Sequence, residues 1–142
     1  MARHYLFTEE AGCFAFIRAP NVEMAPTEEQ PFDIIGETNY QAELESIAGP
    51  KTADGAGVQV SAFLMPEPEN PYDSNAVAVI ISDKTVGYLS RDNNKEFLEF
   101  LSELGASGAC CEAFIEGAWK HTRSEGNFCV RPDIACPFEA AQ

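Results

Sequence analysis

The residues best suited to chemistry lie between Pro66 and Val79, PEPENPYDSNAVAV, where a proline-punctuated acidic loop runs straight into an apolar strand. Tyr72 and Asp73 stand at the joint. Asn70 at the first position of a type I turn, and Pro71 fixing φ at the second, shape such a turn unaided. Asp73 and Asn75 carry the side chains that bond nearby backbone amides in Asx turns. The same pair can also face outward. An exposed ring and carboxylate can hold a ligand, the ring by its face and the carboxylate by accepting hydrogen bonds. The loop by itself leaves both readings open. Asp73 with Glu69 suggests a carboxylate pair, but acids in a proline-rich loop are ordinarily solvated. No glycine-rich phosphate loop, HExxH or GxSxG occurs, and His4 and His121 are the only histidines. Catalysis is not expected.

The five cysteines, Cys13, Cys110, Cys111, Cys129 and Cys136, are odd in number and lack CxxC spacing. A structural zinc needs four converging thiolates or imidazoles, usually as two close pairs. Cys129, Cys136, His121 and one of Cys110 and Cys111 form the conceivable set, but adjacent strand residues point to opposite faces. Thiols acting as small core residues are the preferred reading, with no metal and no cofactor expected.

Nine Lys and Arg against twenty-three Asp and Glu give the 142 residues a net charge of −14. Such a chain repels polyanions at long range. Residues 1–73 hold thirteen acids and three bases, net −10, whereas residues 74–142 hold ten and six, net −4. The one locally basic segment is Gly117–Pro132, where Lys120, Arg123 and Arg131 face only Glu125 and His121 stands alongside. Any polyanion is expected to land there. The longest apolar run, Ala76–Ile81, is far too short to span a bilayer. MARHYLFTEE places acids where a signal peptide needs apolar residues. A cytoplasmic protein without a membrane partner is expected.

The elements that must position the loop are mostly strands. HYLF (4–7) and CFAFI (13–17), joined through EEAG, form a short hairpin, and residues 19–31 read as an irregular acidic linker. Residues 32–36 make a strand, and residues 47–57 a loop. Val58–Met65 alternates Val58, Val60, Ala62 and Leu64 on one side, a strand signature. Ala76–Ser82 is a strand apolar on both faces, turned by Ser82-Asp83-Lys84 into Thr85–Leu89. A helix follows, capped by Ser90 or Asp92, with Phe97, Leu98, Leu101 and Leu104 at helical spacing and Gly105 as its stop. Strands over 109–118 and 127–134 complete a mainly β, α+β fold with one or two helices, a small β-barrel of about six strands. Val77, Val79, Ile81, Val86 and Leu89 are the expected hairpin core, with Phe97 and Leu101 packed nearby.

The run PEPENPYDSNAVAVIISDKTVGYLSRDNNKEFLEFL, residues 66–101, resembles the HIRAN domain, a module attached to some DNA-remodelling helicases and also found alone in bacteria and phages. Asn70–Ala76 matches the family's NPYDxNA piece, Gly87-Tyr88-Leu89 its GYL or GHL piece, and FDIIGETNY (32–40) its first strand. The resemblance divides the chain into an N-terminal hairpin and linker, 1–31, and a HIRAN-like domain, 32–142. It implies an OB-like barrel that binds single-stranded DNA at a free 3′-hydroxyl. Tyr72 and Asp73 then line the end pocket, with Asp73 accepting from the hydroxyl and Asn70 shaping the loop. Tyr88 stands where some members have histidine, and Phe128 falls near a base-stacking aromatic. After the first strand the helicase-linked members carry a basic residue and an aromatic. Here Thr38 and Asn39 stand there, with Tyr40 one place further on, and Glu69 opposes phosphate. Because phosphate contacts supply most salt-dependent affinity, only the 120–131 segment is expected to compensate. The alternative is an acidic protein-interaction module that has lost DNA binding and docks a helicase, nuclease or other basic partner.

Overall fold

The computed structural model describes residues 21–26, 34–117, 126–134, 138 and 140. In chain order these form β1 (Asn21–Glu23), β2 (Ile34–Ile35), a 3-10 turn (Glu37–Tyr40), α1 (Gln41–Ala48), β3 (Ala56–Pro66), β4 (Val77–Ile81), β5 (Lys84–Leu89), α2 (Asn94–Leu104), β6 (Gly108–Gly117) and β7 (Phe128–Pro132). The seven strands make one sheet in the order β1-β6-β3-β4-β5-β2, with β7 also paired to β6. The expected α+β, OB-like class is what forms, but the strand path stays open and does not close into a ring.

The central hairpin follows from composition. β4 is apolar throughout and buried at four of its five positions, which suits a strand covered on both faces. Ser82 and Asp83 both take positive φ, 52° and 69°, the turn geometry whose twist matches the flanking strands. Val77, Val79, Ile81, Val86 and Leu89 share one buried core with Phe97 and Leu101 of α2, as the patterns predict. The cap of α2 differs from expectation. Asn93 occupies it, while the Ser90 carbonyl receives the N–H groups of Asn93 and Asn94, each at 3.0 Å. Gly105 ends the helix at φ 66°, a left-handed conformation that a Cβ disfavours.

Long strands are shared rather than paired off. β6 lies antiparallel to β3 from Gly117 to Ala109, and its opposite edge holds β1 at Gly108–Cys110 and β7 at Ala113–Gly117. Three residues of the segment read as linker thus form a parallel strand, and Met24 N–H donates to Cys110 O at 2.8 Å. α1 takes Ile47 and Ala48 from the segment read as loop. The expected hairpin over 4–7 and 13–17 lies outside the described residues.

The outer edge of β7 meets side chains instead of a strand. Gln41 Oε1 accepts from Phe128 N–H at 2.8 Å while its Nε2 donates to Phe128 O at 3.0 Å. Glu37 Oε2 accepts from Val130 N–H at 3.1 Å. One amide and one carboxylate satisfy three backbone groups that a neighbouring strand would otherwise take.

Candidate functional site

The loop from Glu67 to Ala76 joins β3 to β4 and is closed by its own backbone. Glu67 N–H donates to Ala76 O at 2.8 Å, Asn70 N–H to Glu67 O at 3.0 Å, and Ala76 N–H to Asp73 O at 3.0 Å. Asn70 Oδ1 accepts from the N–H groups of Tyr72, 2.8 Å, and Asp73, 3.1 Å. Asp73 Oδ1 accepts from Asn75 N–H at 2.9 Å. The Asx chemistry expected of this loop is therefore present, and it uses only one oxygen of Asp73.

The other oxygen ties the loop to α2. Asp73 Oδ2 accepts from Asn94 Nδ2 at 3.0 Å and lies 3.4 Å from Arg91 Nε. Arg91 Nη2 donates to the Tyr72 carbonyl at 3.2 Å. Asn94 is 2% exposed in the first turn of α2, so its amide is a buried anchor, whereas the Arg91 side chain is 72% exposed. Tyr72, held by its backbone alone, is 86% exposed.

Beside the loop opens a cleft of about 510 Å³. Glu67, Asn70, Tyr72 and Asp73 form one wall, Ile35, Asn39 and Tyr40 a second, and Tyr88 and Arg91 a third. Gly87 sets the distance between the last two. A Cβ there would stand 2.6 Å from Ile34 Cδ1 and 3.0 Å from Ile35 O, so the missing side chain lets β2 lie this close to β5 without displacing Ile34. The Tyr40 and Tyr88 ring centroids lie 6.5 Å apart at 47°. Tyr88 Oη donates to Glu67 Oε1 at 3.0 Å, and Asn70 Nδ2 donates to the same oxygen at 3.0 Å. Burial, then the Glu67 carboxylate and Tyr40, push the Tyr88 phenol well above its ordinary value. Tyr88 thus remains a neutral hydrogen-bond donor at physiological pH.

Five of the residues singled out in the sequence, Tyr40, Asn70, Tyr72, Asp73 and Tyr88, meet in this cleft. Phe128 does not. It is 2% exposed, because the alternation of β7 turns Phe128 and Val130 into the core, and no base can reach its ring. Arg131 points to the other side of β7, where Nε pairs with Glu116 Oε1 at 2.9 Å, away from the cleft. Lys120, His121 and Arg123 lie outside the described residues. Glu69 is exposed on the loop and does not line the cleft with Asp73. Glu67 does, two residues earlier. Arg91 was also missed as a cation of the site, although it follows Leu89 by only two residues.

Cys111 is buried and Cys110 half-buried on the opposite face of β6, as adjacent strand residues must be. Among the described residues no three His, Cys, Asp or Glu side chains converge to hold a metal. No helix among them is long and apolar enough to cross a membrane.

An open α+β sheet whose strand-connecting loop faces a cleft of aromatic and polar side chains defines the class of module. The chain belongs to the HIRAN domain family, whose model matches residues 38–126 and so takes in most of the cleft. Membership puts it among nucleic-acid-binding modules. Among curated proteins and among solved structures, nothing matches.

Proposed function

We propose that the cleft holds the end of a single DNA strand, with its free 3′-hydroxyl at Asp73, and that it does so without catalysis. The observation that carries this reading is the convergence of Tyr40, Tyr72 and Tyr88 with Asp73 and Arg91 around one open cleft. The exposed Tyr72 ring supplies a stacking face at the rim, and such a face is indifferent to base identity. Asp73 suits a neutral hydroxyl better than a phosphate. Arg91 supplies the cation that the sequence placed only in the 120–131 segment. Its guanidinium stands 3.4 Å from Asp73 while most of its surface remains open to a backbone phosphate. A net charge of −14 keeps that affinity modest and strongly salt-dependent.

A titration at low salt of labelled single strands with free and with phosphorylated 3′ ends tests the reading. Tighter binding of the free end is expected. Equal binding of both removes Asp73 from end recognition and leaves it a loop-shaping residue. Binding of neither favours the second reading, an acidic module that docks a basic protein such as a helicase or nuclease, which the net charge supports.

A further inference from the structure

We propose that Glu67 selects the base at the held strand end, favouring one with an exocyclic amine (cytosine, adenine or guanine) over thymine or uracil. The inference rests on the nucleic-acid reading of the cleft. Glu67 stands half-buried in the cleft wall, where the chain leaves β3. Its Oε1 takes both local donors, Asn70 Nδ2 and Tyr88 Oη, each at 3.0 Å. Its Oε2 receives no hydrogen bond, and no Lys or Arg pairs with the carboxylate, among the described residues. Arg91 is directed instead to Asp73 and the Tyr72 carbonyl. Two donors therefore pin the group while one anionic acceptor stays unspent.

The chemistry of that acceptor narrows its occupant. Phosphate is repelled by it. A base edge is accepted only where it carries an N–H donor, and carboxylates pair with cytosine through N4 for this reason. Adenine N6 and guanine N1 and N2 offer the same donor. Thymine and uracil offer only the ring N3–H, flanked on both sides by carbonyl oxygens that the carboxylate repels, so theirs is the weaker donor. The rings of Tyr40 and Tyr88 lie on the adjoining walls and can take the face of the same base. Tyr88 thus supports the base from the side while orienting the carboxylate that reads its edge.

Fluorescence anisotropy on two labelled strands that differ only in a 3′-terminal deoxycytidine or deoxyuridine exchanges the amine and bare N3 of cytosine for the carbonyl and N3–H of uracil, the rings being otherwise alike. The deoxycytidine end is expected to bind about tenfold tighter or more, the size of one hydrogen bond to a charged group. Glu67→Gln keeps an acceptor for Asn70 and Tyr88 but turns an amide donor outward, so it is expected to abolish or invert the preference. Equal affinity of the unaltered protein for the two ends overturns the inference and leaves the nucleic-acid reading standing. A preference that survives unchanged in Glu67→Gln overturns it as well, because base selection then lies elsewhere. Failure of both strands to bind at low salt overturns both. The comparison on the unaltered protein requires no variant, so misfolding of Glu67→Gln cannot conceal the outcome.

Discussion

Asp73 gives one carboxylate oxygen to the amide of Asn75 and the other to Asn94 and Arg91. Turn chemistry alone would make Asp73→Asn nearly silent, since the amide oxygen still reaches Asn75. The second oxygen changes that expectation. Asparagine in the same pose turns its own N–H donors toward Asn94 Nδ2 and Arg91 Nε; the buried Asn94 amide must turn over to meet them with Oδ1, which has no partner now among the described residues, and the pairing with Arg91 is lost. A loss of about 1–3 kcal/mol is expected, read from urea unfolding with an unchanged m value. Discrimination between hydroxyl and phosphate strand ends should fall as well; a stable variant that discriminates as before would detach Asp73 from the end. Tyr72→Ala separates binding from folding more cleanly. The residue is 86% exposed, so stability should change by no more than about 0.5 kcal/mol. Affinity should drop by roughly 1–3 kcal/mol for every strand tested, whatever its sequence. A destabilised Tyr72→Ala protein with undiminished affinity would contradict the stacking role.

At the scale of elements, β7 depends on a side chain from α1. Gln41→Ala removes the acceptor for Phe128 N–H and the donor to Phe128 O together, and with them the bond to Glu37 O at 2.9 Å. About 1–3 kcal/mol of destabilisation is expected, along with faster hydrogen exchange at the Phe128 amide. Unaltered exchange there would mean that another group covers this edge. The same contact shows why some elements were legible in the sequence and others were not. β4, β5 and α2 carry their own signal, as a doubly buried apolar run or a helical stripe ending in Gly105. α1 buries only Leu44 fully, and β1 is three residues long. Neither has a period to read, and each is fixed by what it docks on. Phe128 was misread for a related reason. Its proximity to a motif in sequence says nothing of which face of β7 it takes. The cleft divides in the same way: Asn70, Tyr72 and Asp73 belong to one contiguous loop, whereas Glu67 gains its meaning from Tyr88, twenty-one residues further on.

At the scale of the molecule, three groups among the described residues resist ionisation in the fold. Burial, then Glu23 and Glu112, push the Cys110 thiol from its ordinary 9.0 up to about 11. Burial first, with its acidic neighbours, raises Cys111 further, and Tyr88 is raised as described. Each is a neutral acid whose folded pKa exceeds its unfolded one. Their contribution is therefore complete below pH 9.0 and declines as pH rises through about 11, because the unfolded chain loses protons that the fold retains. Thermal melts should be level in this respect from neutral pH to about 9 and fall steeply above it. Cys110→Ser should flatten the onset; an identical alkaline slope would assign the loss to other groups.

The sharing of β6 among three strands also has a consequence in time. β1 pairs with it at Asn21 and Gly108, and β3 meets it from Ala56 to Leu64, so neither has its partner until residues 108–117 have been made. A chain emerging from the ribosome can close the β4–β5 hairpin early, since Val79 and Gly87 are near neighbours in sequence. It must then hold β3 with one edge unsatisfied until the last third arrives. Distant pairings of this kind make folding slow and leave the waiting edge open to other chains. The nascent protein is expected to be most vulnerable to aggregation while its first hundred residues stand exposed without β6.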